Sequence, residues 1–288
     1  MKLVKLTSIT KKMALAAAGL FLLVFLLLHA SINLCIIRDD GGLWYRNACH
    51  FMGTNYIVKV FEVILLAIVA VHIILAVIVT IENYMARPVR YAVSSKTKTH
   101  TGSKWMIWTG GLIACFLVLH CMNFYAVKIG LVEGKYTAKI DKVDAFFQQK
   151  AMKMQNGELN QKETEEMTAQ LQAINSIPEN KVDVKNKELV NLTKEEVFKY
   201  CGTDFEDYEP DFYTMANELF KKPIYTLIYL LVFVVLGYHL FHAINSLCQT
   251  LGCNHKKYNG AIETCALGYA VIVPLLFAVV PIYVMFIK

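Results

Sequence analysis

The chain has 288 residues, 56% of them hydrophobic and 18% charged, with a formal charge of +6. Apolar content this high with positive mean hydropathy excludes an ordinary soluble domain and puts a membrane protein first. Eight cysteines are present without a C-x-x-C or C-x-x-C-H pattern, which excludes covalent haem attachment and ordinary zinc-ribbon or iron–sulfur ligation.

Five stretches are long enough to cross a hydrocarbon core of ~30 Å at ~1.5 Å per residue. They run from Met13 to Ile37, Tyr56 to Ile81, Trp105 to Val127, Pro223 to Leu247 and Ala261 to Ile287. The first follows Lys2, Lys5, Lys11 and Lys12, a pattern like a secretory signal, but its apolar run is too long for one and it reads as a retained span. The expected fold is an all-α membrane protein of five transmembrane helices, one domain over residues 1–288, with an extramembrane insertion over 132–222.

Orientation follows from the short loops. The N-terminus, the second-to-third loop with Arg87, Arg90, Lys96, Lys98 and Lys104, and the fourth-to-fifth loop with Lys256 and Lys257 are basic and should face the cytoplasm. Residues 132–222 carry 18 acidic and 13 basic side chains, a net of −5, so the remainder of the chain is +11. The basic inner surface suits anionic lipid or an acidic soluble partner, and nothing in it resembles a nucleic-acid site.

The insertion is expected outside the membrane and partly helical. Thr193 with Glu196 three residues on marks a helix start, and Gln161 to Ile174 has the composition of a solvated helix. Cys35 and Cys49 flank the first outer loop, where a disulfide is conceivable; Cys201 has no evident partner, and the remaining cysteines near spans read as small core residues.

Four histidines lie about two-thirds of the way along four different spans: His29, His72, His120 and His239. Ionisable groups at membrane depth are costly and usually functional. Because the first and third spans run outward, His29 and His120 fall in the outer half; because the second and fourth run inward, His72 and His239 fall in the inner half. The helical rise separates the two layers by roughly 10–15 Å. Two imidazoles at one depth on two helices are what a haem iron needs, and the pairing supplies this twice. Bis-imidazole iron has no open position, so such haems carry electrons. His242, three residues after His239, is the competing ligand of the fourth span; His50, His100 and His255 read as loop or interface residues.

The tract from Thr10 through Gly19 to His29 and Asn33, the run Ala86-Arg87-Pro88-Val89-Arg90-Tyr91-Ala92-Val93, and the stretch Gly237 to Gly252 (GYHLFHAINSLCQTLG) resemble the di-haem cytochrome b membrane anchor of bacterial succinate dehydrogenase and fumarate reductase complexes. The resemblance covers all five spans. It implies two non-covalent b haems, the distal one on His29 and His120 and the proximal one on His72 and His239. It also implies a flavoprotein and an iron–sulfur subunit on the cytoplasmic face of a bacterial inner membrane, a quinone pool that is usually menaquinone, and room for a dimer of heterotrimers. Succinate and fumarate would be handled by the partner flavoprotein, so this chain would be the electron-transfer subunit of an oxidoreductase complex.

Two departures stand out. Some members carry a glutamate two positions before the proximal ligand of the fourth helix, where this chain has Gly237, and the 132–222 segment is far longer than the usual connection. Glu62, six positions into the second span, is a candidate for protonating quinone, against pairing with Arg38, Arg46 or Lys59. Arg87 and Arg90 suit haem propionates or an acidic partner, against a plain cytoplasmic anchor. Cytochromes b of quinol-oxidising bc complexes place two histidines on each of two helices, a pattern absent here. Anchors of formate dehydrogenases or hydrogenases, and a cofactor-free transporter or assembly protein, are the alternative readings.

Overall fold

The structure, a computed structural model, describes residues 7–86, 101–253, 255 and 257–288. Arg87, Arg90, Lys96, Lys98, His100 and Lys256 lie outside the described residues. Five helices in it are long and apolar enough to cross a membrane. The chain divides into two compact units: one holds residues 1–38, 51–118 and 220–288, the other Asp39–His50 with Leu119–Leu219.

In the first unit, α1 (Ser8–Asn33) begins where the Thr7 side chain accepts the Thr10 amide, and a 3-10 turn, Leu34–Ile37, extends it. After α2 (Leu43–Thr54), which falls mostly in the second unit, comes α3 (Tyr56–Met85), capped by Asn55, whose side chain accepts from the Ile57 and Val58 amides. α4 spans Thr101–His120. The fourth and fifth apolar helices are given below as α10 and α11. The spans thus match the sequence expectation to within a few residues at each end. Lys11 of α1 and Glu82 of α3 form an ion pair.

The second unit continues from α4 through a π-helical turn, Cys121–Tyr125, and a single turn α5 (Ala126–Lys128) into strand β1 (Tyr136–Lys139). Helices α6 (Ile140–Gln155) and α7 (Gln161–Asn175) follow, then strands β2 (Val182–Asp183) and β3 (Glu188–Leu192), helix α8 (Lys194–Cys201), strand β4 (Tyr208–Pro210) and helix α9 (Phe212–Phe220). The expected helix starts are present: both α7 and α8 open with capping boxes, Asn160 with Glu163 and Thr193 with Glu196.

The four strands form an antiparallel sheet in the order β2-β3-β1-β4, an element that an all-α reading of the insertion lacked. From Tyr136 to Ala138 on β1 the partner moves from Leu192 to Leu189, so β3 carries one extra residue. Asn191, at φ 56°, absorbs this bulge in the left-handed region that Asn tolerates. Tyr136, Ala138, Leu189 and Leu192 point into a core shared with Val197 and Phe205. Burial there pushes the Cys201 thiol up to about 12, so it is inert packing.

α10 (Pro223–Thr250) starts with proline at its first turn, and α11 (Asn259–Phe286) packs along it in the first unit. A Cβ built on Gly237 of α10 would stand 2.7 Å from the Ala270 carbonyl oxygen of α11. That carbonyl lacks an i+4 amide because Pro274 occupies the position, so the freed oxygen faces the neighbouring backbone where only glycine fits. Tyr269 donates its hydroxyl to the Leu23 carbonyl of α1, and Phe116, Tyr229, Phe233 and Phe277 stack in sequence through the bundle.

Candidate functional site

Three of the four span histidines, His29 on α1, His72 on α3 and His239 on α10, belong to the first unit, and the last two come close enough to interact electrostatically. Each of these two faces a glycine on another helix. A Cβ on Gly19 of α1 would lie 3.9 Å from His72 Cε1, and one on Gly110 of α4 would lie 3.5 Å from His239 Cε1. Four helices therefore present two imidazoles and two bare backbone patches.

A hydrogen bond holds the His239 ring from α4. Thr109 Oγ1 lies 3.2 Å from His239 Nδ1 and also within reach of the carbonyls of Met106 at 3.1 Å and Trp105 at 3.2 Å. The contact engages Nδ1 and leaves the opposite edge of the ring, with Nε2, outside this bond. A second-sphere bond of this kind is what orients metal-ligating histidines. His72 is part-buried, and among the described residues its Nδ1 is buried without a hydrogen-bond partner. A buried imidazole nitrogen left in this state is either costly or reserved for a ligand. Two imidazoles on two helices are the donor set that a bis-histidine haem would use.

His242 is more buried than His239, at 8% exposed, and sits edge-on to Tyr238 and Phe241 of its own helix. It also interacts electrostatically with His239. His29 stacks on Phe25 at 5.3 Å between ring centres, contacts Phe277 at 5.6 Å, and its Nε2 is 3.5 Å from Asn33 Nδ2. His120 closes α4 directly before the π-turn, belongs to the second unit and lies against Phe124 at 5.3 Å. Among the described residues no group of three or more His, Cys, Asp or Glu side chains is arranged to hold a metal ion. Two-imidazole sites are what the described donors offer.

Glu62 is part-buried near the start of α3. Of its suggested partners, Arg46 is committed within the second unit: its Nε donates to Asp211 Oδ1 at 3.1 Å, and Nη1 donates to the Gly41 carbonyl at 3.0 Å and lies 3.7 Å from Glu188 Oε2. His50 pairs with Glu209 of β4. His255 accepts the Lys257 amide through Nδ1 at 3.2 Å. Cys35 is a thiol whose sulfur lies 3.9 Å from the Ser31 carbonyl.

The sequence reading missed Thr109 and Gly110 as parts of the site. The signal was the run Thr109-Gly110-Gly111 in the middle of an apolar span, where small residues mark a close approach. No protein-family model, curated protein or solved structure matches this chain.

Proposed function

We propose that the chain is a di-haem cytochrome b membrane anchor of the succinate dehydrogenase and fumarate reductase type. It passes electrons between an iron–sulfur subunit on the cytoplasmic face and a quinone of the menaquinone class, in a bacterial inner membrane. The observation that carries the reading is the His72–His239 pair, one ring held at Nδ1 by Thr109, the other with a buried nitrogen unsatisfied, and a glycine against each. In this reading His72 and His239 hold the proximal haem and His29 and His120 the distal one; the haems when bound supply one-electron transfer. Thr109 holds the His239 ring at Nδ1 and so orients it, and Glu62 is the candidate proton donor to quinone.

The orientation, with the N-terminus cytoplasmic and residues 132–222 outside, rests on the basic short loops; that the first outer loop and residues 132–222 share one side is supported by the membership of the second unit. Asp39–His50 and Leu119–Leu219 form one compact body, and two apolar helices, α3 and α4, separate them in sequence. Two crossings return the chain to the side it left.

Single replacement of His29, His72, His120 and His239 by alanine should each lower b-haem content per chain in a pyridine haemochrome assay, while His242→Ala retains it. Full haem in all four variants would overturn the proposal; loss in His29→Ala, His72→Ala and His120→Ala with, on α10, loss in His242→Ala in place of His239→Ala would move the α10 ligand by one turn. Copurification with a flavoprotein that oxidises succinate, as against a formate dehydrogenase or hydrogenase, tests the partner.

A further inference from the structure

The end of α10 places two thiols together. Its last turn is closed by a Schellman motif: Gly252, at φ 77°, follows the helix, its amide donates to the Gln249 carbonyl at 3.3 Å, and the Cys253 amide donates to the Cys248 carbonyl at 2.8 Å. In this motif the side chains at the two ends of the outer bond are the pair that ordinarily meet in an apolar contact. Here both are cysteines. They interact electrostatically, Cys253 is exposed, and Cys248 is half-buried behind it.

The hydrogen bond fixes a limit on their separation. With a Cys253 amide to Cys248 oxygen distance of 2.8 Å, standard bond lengths hold the two Cα atoms to at most about 6.7 Å. Disulfides form across Cα separations of about 4.4–6.8 Å. The turn that ends the helix therefore holds the pair inside the upper limit of the bridging range.

We propose that Cys248 and Cys253 form a vicinal dithiol that closes reversibly by exchange with a low-molecular-weight disulfide. The exposed Cys253 thiolate attacks one sulfur of the small disulfide; the S–S bond breaks and one small thiolate leaves, to be protonated by solvent. Cys248, as thiolate, then attacks Cys253 Sγ in the mixed disulfide and expels the second small thiol. Two cysteine thiols and one small disulfide become one protein disulfide and two small thiols, with two electrons passing to the small molecule. The same pair is suited to trivalent arsenicals: phenylarsine oxide condenses with two adjacent thiols to form two As–S bonds and releases its one oxygen as one water. Closure ties Cys248, in the last turn of α10, to Cys253, in the loop that follows, on the helix that carries His239 and His242. The inference uses only this turn and is independent of the haem reading.

The test uses the full chain in native membrane vesicles. After oxidised glutathione and alkylation of the remaining thiols, mass spectrometry of the peptide holding both cysteines should show an internal disulfide, lighter by two hydrogens and unalkylated. In Cys248→Ser the intermediate has no resolving thiol, so a stable glutathione adduct should accumulate on Cys253. Phenylarsine oxide should protect the wild-type pair from alkylation and should fail to protect either single serine variant, while Cys115→Ser behaves as wild type. A wild-type chain carrying a glutathione adduct on Cys253 beside an alkylated Cys248, or two alkylated thiols where a dithiol peptide closes, would overturn the proposal.

Discussion

Arg46 should be the most sensitive single position of the second unit. Its side chain is 8% exposed and Asp211 is fully buried. Truncation to alanine removes the bonds to Asp211 and Gly41 and leaves two buried carboxylates, Asp211 and Glu188, with no guanidinium between them. Removing one partner of a buried pair costs about 3–5 kcal/mol. Asp211 retains the Thr214 amide at 3.1 Å, the Thr214 hydroxyl at 2.6 Å and the Asn191 amide at 3.4 Å, which places the loss at the lower end, about 3 kcal/mol. At about 1.4 kcal/mol per decade this is a rise of about two decades in the opening equilibrium of the unit. Hydrogen exchange of the β1 and β3 amides in the full-length protein in detergent reads it directly. The double variant Arg46→Leu with Asp211→Asn should recover part of the protection, since the stranded aspartate charge is gone. Exchange of Arg46→Ala within about threefold of wild type would refute the reasoning, because opening of the unit would then not require breaking the cluster.

Glu188 gives a pH-dependent companion. Its carboxyl is held above the ordinary value of 4.5, chiefly by burial, against the smaller opposing pulls of Arg46 and Lys139. The folded state therefore binds this proton more tightly than the unfolded state: its contribution to stability is complete below the ordinary glutamate pKa and is lost as pH rises through the raised folded value. Glu188→Gln should flatten that part of the profile and leave the unit at least as stable as wild type at neutral pH; exchange protection corrected for intrinsic rates, falling with pH in parallel for both proteins, would contradict this. Gly237→Ala should destabilise the α10–α11 pair by about 1–3 kcal/mol, because the new methyl meets a backbone oxygen that cannot rotate away. It should lower the detergent-state thermal midpoint, and an unchanged midpoint would show that the helices part at no cost.

The five apolar helices were legible because each is a long run of one composition, and hydropathy needs no partner to be read. The caps at Thr193 and Asn160 were equally local, although only the first was singled out from sequence. The sheet was not legible: its strands have two to five residues, and Asn191 breaks the alternation of the longest one. Arg46 looked like one charge in a mixed loop because its partner Asp211 is 165 positions away. At the site, the histidines declared themselves by lying in apolar runs, whereas Thr109 acts through one hydroxyl whose target is 130 positions on. Gly237, which read as a missing glutamate, is the point at which α10 touches the α11 backbone, so a longer side chain has no room there.

The separation between Arg46 and Asp211 also sets an order of events during synthesis. At about 5–20 residues per second, the arginine emerges about 8–33 seconds before the aspartate that will neutralise it, with two apolar helices to be inserted between them. Until then the Asp39–His50 segment must wait as an unfinished half of a body, its charge in water and Tyr45 without the Tyr213 ring it will pack on. A nascent chain that inserted only one of α3 and α4 would leave the two halves on opposite faces of the bilayer, and the unit would never close. The cluster is in this sense a proofreading mark: its burial reports that both helices have crossed, and a quality-control protease acting on open chains would remove those in which they have not.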